Sequence, residues 1–203
     1  SITMLIERLV YRGLVAAIMP FYFIYLGILA CRNAFKKDYQ DQFLQRLGCY
    51  TGIPNKQNVV IIAEGLGEYR SIKALLATLS KQYTQYEFII MMTDIEAMRY
   101  AKQNNKQYAH YYLPYEAKVC INSFLNHFKP KAMIIIERAL WPNLYYYTKR
   151  KDIPCLLLSG RISHRSVRRY KYAKRFFLSI YRSLNAISMQ DSCSEERLVT
   201  LGV

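Results

Sequence analysis

After residue 57 the chain alternates short β-rich runs with amphipathic helical stretches, and this alternation restricts the possible folds more than any other feature. Candidate strands run over Asn58 to Ala63, Tyr86 to Met92, His110 to Leu113, Lys131 to Ile136, Pro154 to Ser159 and Asn185 to Met189. Helical patterns fill the gaps, over Gly67 to Lys81, Asp94 to Gln103, Glu116 to Phe128, Trp141 to Lys151, Ser166 to Leu184 and Ser192 to Leu201. Repeated strand-helix-strand units build a parallel sheet with helices on both faces. The expected class is therefore α/β, a Rossmann-like parallel sheet. The near-continuous apolar runs Val59-Val60-Ile61-Ile62 and Met133-Ile134-Ile135-Ile136 read as central strands buried on both faces.

Each of these two runs leads directly into glutamate. Ile61-Ile62-Ala63-Glu64-Gly65-Leu66-Gly67-Glu68-Tyr69-Arg70 passes from a strand through a glycine turn to a helix start, and Glu137 follows the second run at once. Parallel strands share a carboxyl-terminal edge, where open α/β sheets place their ligands, so Glu68 and Glu137 are expected to meet on one crevice. Two carboxylates there can act as base and electrostatic partner for a hydroxyl nucleophile. On the local pattern alone, Glu68 reads first as an acidic residue complementing a helix dipole, and the rest of the chain shifts that reading. The Gly65-x-Gly67 pair is only a fragment of a dinucleotide fingerprint, since Arg70 stands at the third glycine, and neither NAD nor FAD is expected.

Ahead of this domain, Gly13 to Cys31 is an uncharged apolar run, close to the roughly 20 residues that cross a bilayer core. Arg12 precedes it and Arg32, Lys36 and Lys37 follow, a bias that places the following domain on the cytoplasmic face. Pro20 and the cluster Phe21, Tyr22, Phe23 and Tyr25 also suit a kinked or hairpin segment at the membrane interface, so spanning and one-leaflet anchoring both stay open. The organisation expected is an anchor with basic flank over 1–37, a linker helix and loop over 38–57, and a Rossmann-like domain over 58–203.

The formal charge of +15 in 203 residues favours anionic partners. Part of that charge lies in the stretch beginning at Arg161, where Arg165, Arg168, Arg169 and Lys171 precede the apolar Phe176, Phe177 and Ile180. Such a helix can rest on anionic lipid or grip lipid phosphates. No nucleic-acid partner is expected, because the apolar segment already accounts for attraction to anionic lipid. The five cysteines lack C-x-x-C spacing and the three histidines are scattered, so neither a disulfide framework nor a metal site is expected.

Several segments, in order, resemble the amino-terminal half of the bacterial 3-deoxy-D-manno-octulosonic acid (Kdo) transferases. Gly67-Glu68 resembles the family's S-V-G-E turn, and Tyr112-Leu113-Pro114-Tyr115-Glu116 its Y-L-P-Y-D block. Glu137-Arg138-Ala139-Leu140-Trp141-Pro142-Asn143-Leu144 resembles E-T-E-L-W-P-N-L, the most specific match. Gly160-Arg161-Ile162-Ser163 resembles A-R-L-S, and Gln190-Asp191 the closing Q-N/D block. The resemblance implies a GT-B glycosyltransferase whose amino-terminal domain takes a lipid A precursor at the inner membrane. It implies a CMP-Kdo donor bound by a carboxyl-terminal domain, with no metal and no cofactor. Glu68 would be the general base, Glu137 a transition-state stabiliser, and Gly67, Trp141, Asn143 and Arg161 substrate contacts, Arg161 at the interdomain cleft.

The sequence departs from the family pattern where H-S-V-S becomes Ile62-Ala63-Glu64-Gly65 and where the second glutamate of E-T-E-L-W becomes Ala139. A carboxylate at position 64 would alter proton affinity at a nearby base. The chain as given also stops before the family's donor domain, so alone it is expected not to transfer Kdo. A non-catalytic lipid-binding remnant or partner subunit of the same fold stays open beside the enzyme.

Overall fold

The computed structural model describes residues 2–32, 37–52, 54–137, 141–162 and 174–202. Its centre is a six-stranded sheet, all parallel, of β1 (Gln57–Ile62), β2 (Tyr86–Met92), β3 (Ala109–Tyr112), β4 (Ala132–Ile136), β5 (Cys155–Gly160) and β6 (Ala186–Met189). The strand order is β3-β2-β1-β4-β5-β6. The chain winds outward from β1 to one edge, then returns to β4 and winds to the other. β1 and β4 are the two innermost strands, with Ile62 level with Ile135, as their apolar runs require.

Successive residues of β1 serve opposite faces. Val60 and Ile62 pack with Phe124 of α6 (Lys118–Phe128), Leu144 of α7 (Pro142–Lys149) and Ile180 of α8 (Lys174–Tyr181). Val59 and Ile61 pack with Tyr69 of α3 (Leu66–Ser71), Leu76 of α4 (Lys73–Gln82) and Met98 of α5 (Ile95–Asn104). A last helix, α9 (Ser192–Leu201), adds Leu198 and Leu201 to the first core. Asp94 and Asp191 cap α5 and α9 by accepting from Ala97 N at 2.6 Å and Ser194 N at 2.7 Å.

One expected helix, Gly67 to Lys81, is two. The chain breaks at Ile72 (φ −94°, ψ −4°), where Ser71 Oγ donates to the Glu68 carbonyl at 2.7 Å. The break lets Tyr69, Ile72 and Leu76 all enter the same core. Tyr69 Oη lies 3.2 Å from His110 Nε2, and burial, with help from Lys102, pushes that imidazole down to about 4. His110 is thus a neutral core histidine.

The edge strand β3 is covered by α2 (Lys37–Arg46) and the loop after it. Tyr112 N donates to Gln45 Oε1 at 2.8 Å, and Tyr50 Oη donates to the Tyr112 carbonyl at 2.9 Å. Satisfying these groups removes a template for strand addition. Arg99 of α5 pairs with Asp38 of α2 at 2.8 Å.

The apolar amino-terminal segment forms one continuous helix, α1 (Ile2–Arg32), running through Pro20 without a hairpin. Its Leu5–Leu29 window is long and apolar enough to cross a membrane. One stripe of it lies on the domain: Arg8 sits 4.3 Å from the Tyr146 ring, Tyr11 packs on Phe176, and Phe23 and Leu26 join Tyr115. The opposite stripe, including Leu14, Ile18, Phe21 and Ile24, is exposed.

Candidate active site

The carboxyl end of β1 is pinned by its neighbour. Ala63 N donates to Met91 O at 3.0 Å, and the Glu64 carbonyl accepts from Thr93 N and Asp94 N at 3.1 and 3.2 Å. Gly65, extended at φ −121° and ψ 179°, then begins α3, and the Glu68 side chain folds back so that Gly65 N donates to its Oε2 at 3.2 Å. A Cβ at position 65 would stand 2.9 Å from that oxygen, so the carboxylate occupies the space a side chain would need. The turn thus holds Glu68 in a capping arrangement while leaving it part-exposed on the rim. Gly67 is exposed on the same turn, with nothing near the place of a Cβ.

The end of β4 is strained. Glu137 takes the left-handed region at φ 63°, and so does Ser159 beside it at φ 53°. Such conformations cost on the order of 1–3 kcal/mol each and persist where the surroundings over-determine them. Here Glu137 N donates to Leu158 O at 2.9 Å, and Arg161 N donates to Glu137 O at 3.1 Å. The Arg161 side chain is exposed. Gly160 has no room for a Cβ, which would lie 2.7 Å from Met189 Sδ.

Continuing the β1–β4 register by two residues puts Glu64 level with Glu137. Glu137 thus stands at the carboxyl end of β4 beside Glu64, and Glu68, in the first turn of α3, follows the carboxyl end of the adjacent β1, at the point where the strand order reverses. Trp141 closes this stretch of rim: its Nε1 donates to Glu64 Oε1 at 3.1 Å, linking the β1 turn to the segment after β4.

Asn143 sits differently. It is buried, its backbone N donates to Glu116 Oε2 at 2.9 Å, and its Nδ2 donates to the Glu116 carbonyl at 2.6 Å. Leu144 N donates to Glu116 Oε1 at 2.9 Å, and Tyr11 Oη of α1 donates to Oε2 at 2.9 Å. Glu116 thus serves as a remote cap for α7 and a tie to α1. Burial pushes its carboxyl up to about 7, against the hydrogen bonds from Leu144, Asn143 and Tyr11 that favour the charged form. This role was missed in the sequence, although a signal exists. α7 begins Trp141-Pro142 with no side-chain cap of its own, which calls for a carboxylate from elsewhere.

Of the expected site residues, the structure brings Glu68 and Gly67 onto one turn, Glu137 and Arg161 into one backbone pairing, and Trp141 across to Glu64. It sets Asn143 into the frame beneath. Arg165, Arg168, Arg169 and Lys171 lie outside the described residues.

A doubly wound parallel sheet with helices on both faces defines a Rossmann-type domain, the class from which each half of a GT-B protein is built. Residues 41–203 match the family described as 3-deoxy-D-manno-octulosonic-acid transferase (kdotransferase). The chain belongs to that family. It is 28% identical over 198 residues to the 3-deoxy-D-manno-octulosonic acid transferase of Haemophilus influenzae, covering 96% of this chain and 46% of that protein. The Rickettsia typhi transferase of the same name is 28% identical over 146 residues, 71% of this chain and 31% of that one. A bifunctional glycosyltransferase/methyltransferase of Fusobacterium nucleatum is 37% identical over 91 residues, 45% of this chain and 14% of the relative. The chain spans less than half the length of these relatives.

Proposed function

We propose that this chain is the acceptor side of a Kdo transferase. In this reading a lipid A precursor lies on the rim formed by the turn after β1 and the segment after β4, and CMP-Kdo is held by a carboxyl-terminal domain such as the longer relatives have room for. Glu68 removes the proton from the acceptor hydroxyl as its oxygen bonds to the anomeric carbon of Kdo. The bond from that carbon to CMP breaks, CMP leaves as the anion, and the proton rests on Glu68. A sugar hydroxyl is a poor nucleophile while protonated, so a base within reach lowers the barrier. Glu137 supplies fixed negative charge where positive charge develops on the sugar ring, and Arg161 faces the donor side. No metal or cofactor takes part.

The observation that carries this reading is that Glu68, in the turn and helix that follow β1, and Glu137, at the end of the adjacent β4, lie at the reversal point of the sheet in a chain of this family. The test mixes the chain with a donor-binding half and follows transfer from CMP-Kdo to a lipid A precursor. Transfer that depends on Glu68 supports the reading; a Glu68→Gln variant with unchanged rate removes the base assignment. One observation favours the non-catalytic alternative, a lipid-binding partner of the same fold: the Glu68 carboxylate already accepts a hydrogen bond from Gly65.

The lie of α1 supports attachment to a membrane surface without spanning it, and the basic residues Arg32, Lys36 and Lys37 after its apolar run favour the cytoplasmic face of the inner membrane. Its contacts run from Arg8 to Leu26, about 27 Å of helix at 1.5 Å per residue, close to the thickness of a bilayer core. Standing α1 across the membrane would carry Glu116 and Lys118 into hydrocarbon. Lying in the interface, α1 buries its exposed apolar stripe and leaves the domain in water.

A further inference from the structure

Beside α1, the outer surface between α6 and α7 carries a groove of about 360 Å³. Arg12 of α1, Lys118 of α6, and Arg150 and Lys151 at the end of α7 line it, together with Asn122 and Tyr146. Among the described residues no carboxylate lines it. The described ion pairs lie elsewhere, joining Arg99 to Asp38 and Glu96, and Lys102 to Asp41. Hydrogen bonds fix two of the groove's cations: Arg150 Nη1 donates to Tyr146 Oη at 3.0 Å, and Lys151 Nζ to Asn126 Oδ1 at 2.9 Å. Four like charges around one concavity repel each other until an anion enters, and a guanidinium fork with ammonium groups suits phosphate oxygens. The Glu68 rim uses none of these residues.

We infer that this groove binds the phosphate of an anionic lipid headgroup from the bilayer in which α1 lies. The inference rests on the interfacial lie of α1, because Arg12 is shared: the helix that enters the lipid also forms one wall of the groove. The groove sets the rotation of the domain on the membrane, since a bound headgroup fixes the α6–α7 side beside the bilayer.

The experiment measures partition of the whole chain onto vesicles of phosphatidylcholine alone and of phosphatidylcholine mixed with phosphatidylglycerol. Each basic side chain near an anionic surface contributes roughly fivefold, so Lys118→Gln, Arg150→Gln and Lys151→Gln combined should weaken binding to the mixed vesicles about 100-fold. Binding to phosphatidylcholine alone should not change. A charge-matched control, Lys73→Gln, Lys81→Gln and Lys106→Gln, alters exposed cations on the α4–α5 side of the sheet and should weaken binding no more than about threefold by diffuse attraction. Equal losses in the two triple variants would overturn the groove and leave only diffuse attraction. A wild-type chain that binds both vesicle types equally would overturn the groove while keeping α1 in the interface. A chain that binds neither overturns the lie of α1 and the groove with it. Transfer activity enters none of these readouts, so the Kdo transferase reading stands or falls separately.

Discussion

Glu116 and Asn143 are joined twice: the Glu116 carboxylate accepts from Asn143 N at 2.9 Å, and its carbonyl accepts from Asn143 Nδ2 at 2.6 Å. Two of the segments that resemble the family's blocks, Tyr112 to Glu116 and Trp141 to Leu144, are thus parts of one structural joint. The joint fixes where α7 starts, and so where Trp141 meets Glu64 on the rim. Tyr11 brings α1 to the same carboxylate, so the long apolar helix and the candidate rim share a support.

Glu116→Gln should destabilise the fold and change its pH dependence. A carboxyl with a folded value near 7 binds its proton more tightly than in the unfolded chain. It supports folding fully below about pH 4.5 and loses that support as pH rises through about 7. The advantage of wild type over Glu116→Gln should therefore shrink by roughly 1 kcal/mol per pH unit across that window. Urea melts of both proteins at several pH values check this, and a constant difference would refute the raised carboxyl.

His110→Gln should tilt the curve the other way. With its folded value near 4 and its ordinary value at 6.5, His110 supports folding above about pH 6.5 and loses that support as pH falls through about 4. Wild type should gain on His110→Gln by roughly 1 kcal/mol per pH unit on going up through that range. Where the two windows overlap the slopes of Glu116 and His110 oppose, so wild type should be nearly flat. Each single variant should then tilt, in opposite directions.

Glu68→Gln and Glu68→Ala separate capping from chemistry. Glutamine keeps an acceptor for Gly65 N, so its melting temperature should stay close to wild type; alanine should lose about 1 kcal/mol of cap. Both should slow transfer in the presence of a donor half by roughly 10²–10⁴-fold. Rates that follow stability instead would reduce Glu68 to a helix cap.

Trp141→Phe tests the rim closure. It keeps the ring packing and removes the Nε1 donor to Glu64. A double-mutant cycle with Glu64→Ala should return a coupling of about 1 kcal/mol. A coupling near zero would mean that the hydrogen bond does not hold the two segments together.

Much of the sheet could be read from residue types because its strands are bounded runs of apolar residues. β2 matches Tyr86 to Met92 at both ends, and β1 and β4 are central because Val59 to Ile62 and Met133 to Ile136 have almost no polar face. Local pattern fails where a tertiary partner decides. Ile72 is helix-compatible, yet the helix breaks there, where Ser71 Oγ donates to the Glu68 carbonyl and Tyr69, Ile72 and Leu76 share one core. In α1, Tyr11, Phe23 and Leu26 look no different in composition from Leu14, Phe21 and Ile24, yet the first three dock and the second three are exposed. The rim followed from strand ends, whereas the support under Asn143 depends on a carboxylate 27 residues away.

Glu137 is the residue at which function and stability should separate. Its φ of 63° strains any side chain but glycine's. Glu137→Gly should relieve that strain and, after glycine's greater freedom in the unfolded chain is subtracted, stabilise the fold by roughly 0.5–1 kcal/mol. The same change removes the charge proposed to meet the developing oxocarbenium, so transfer should fall roughly 10²–10³-fold. Glu137→Ala should lose the same activity with no gain in melting temperature. Thermal melts beside initial rates with a donor half decide the matter. A glycine variant that is both more stable and fully active would show that the strained glutamate is not held there for catalysis.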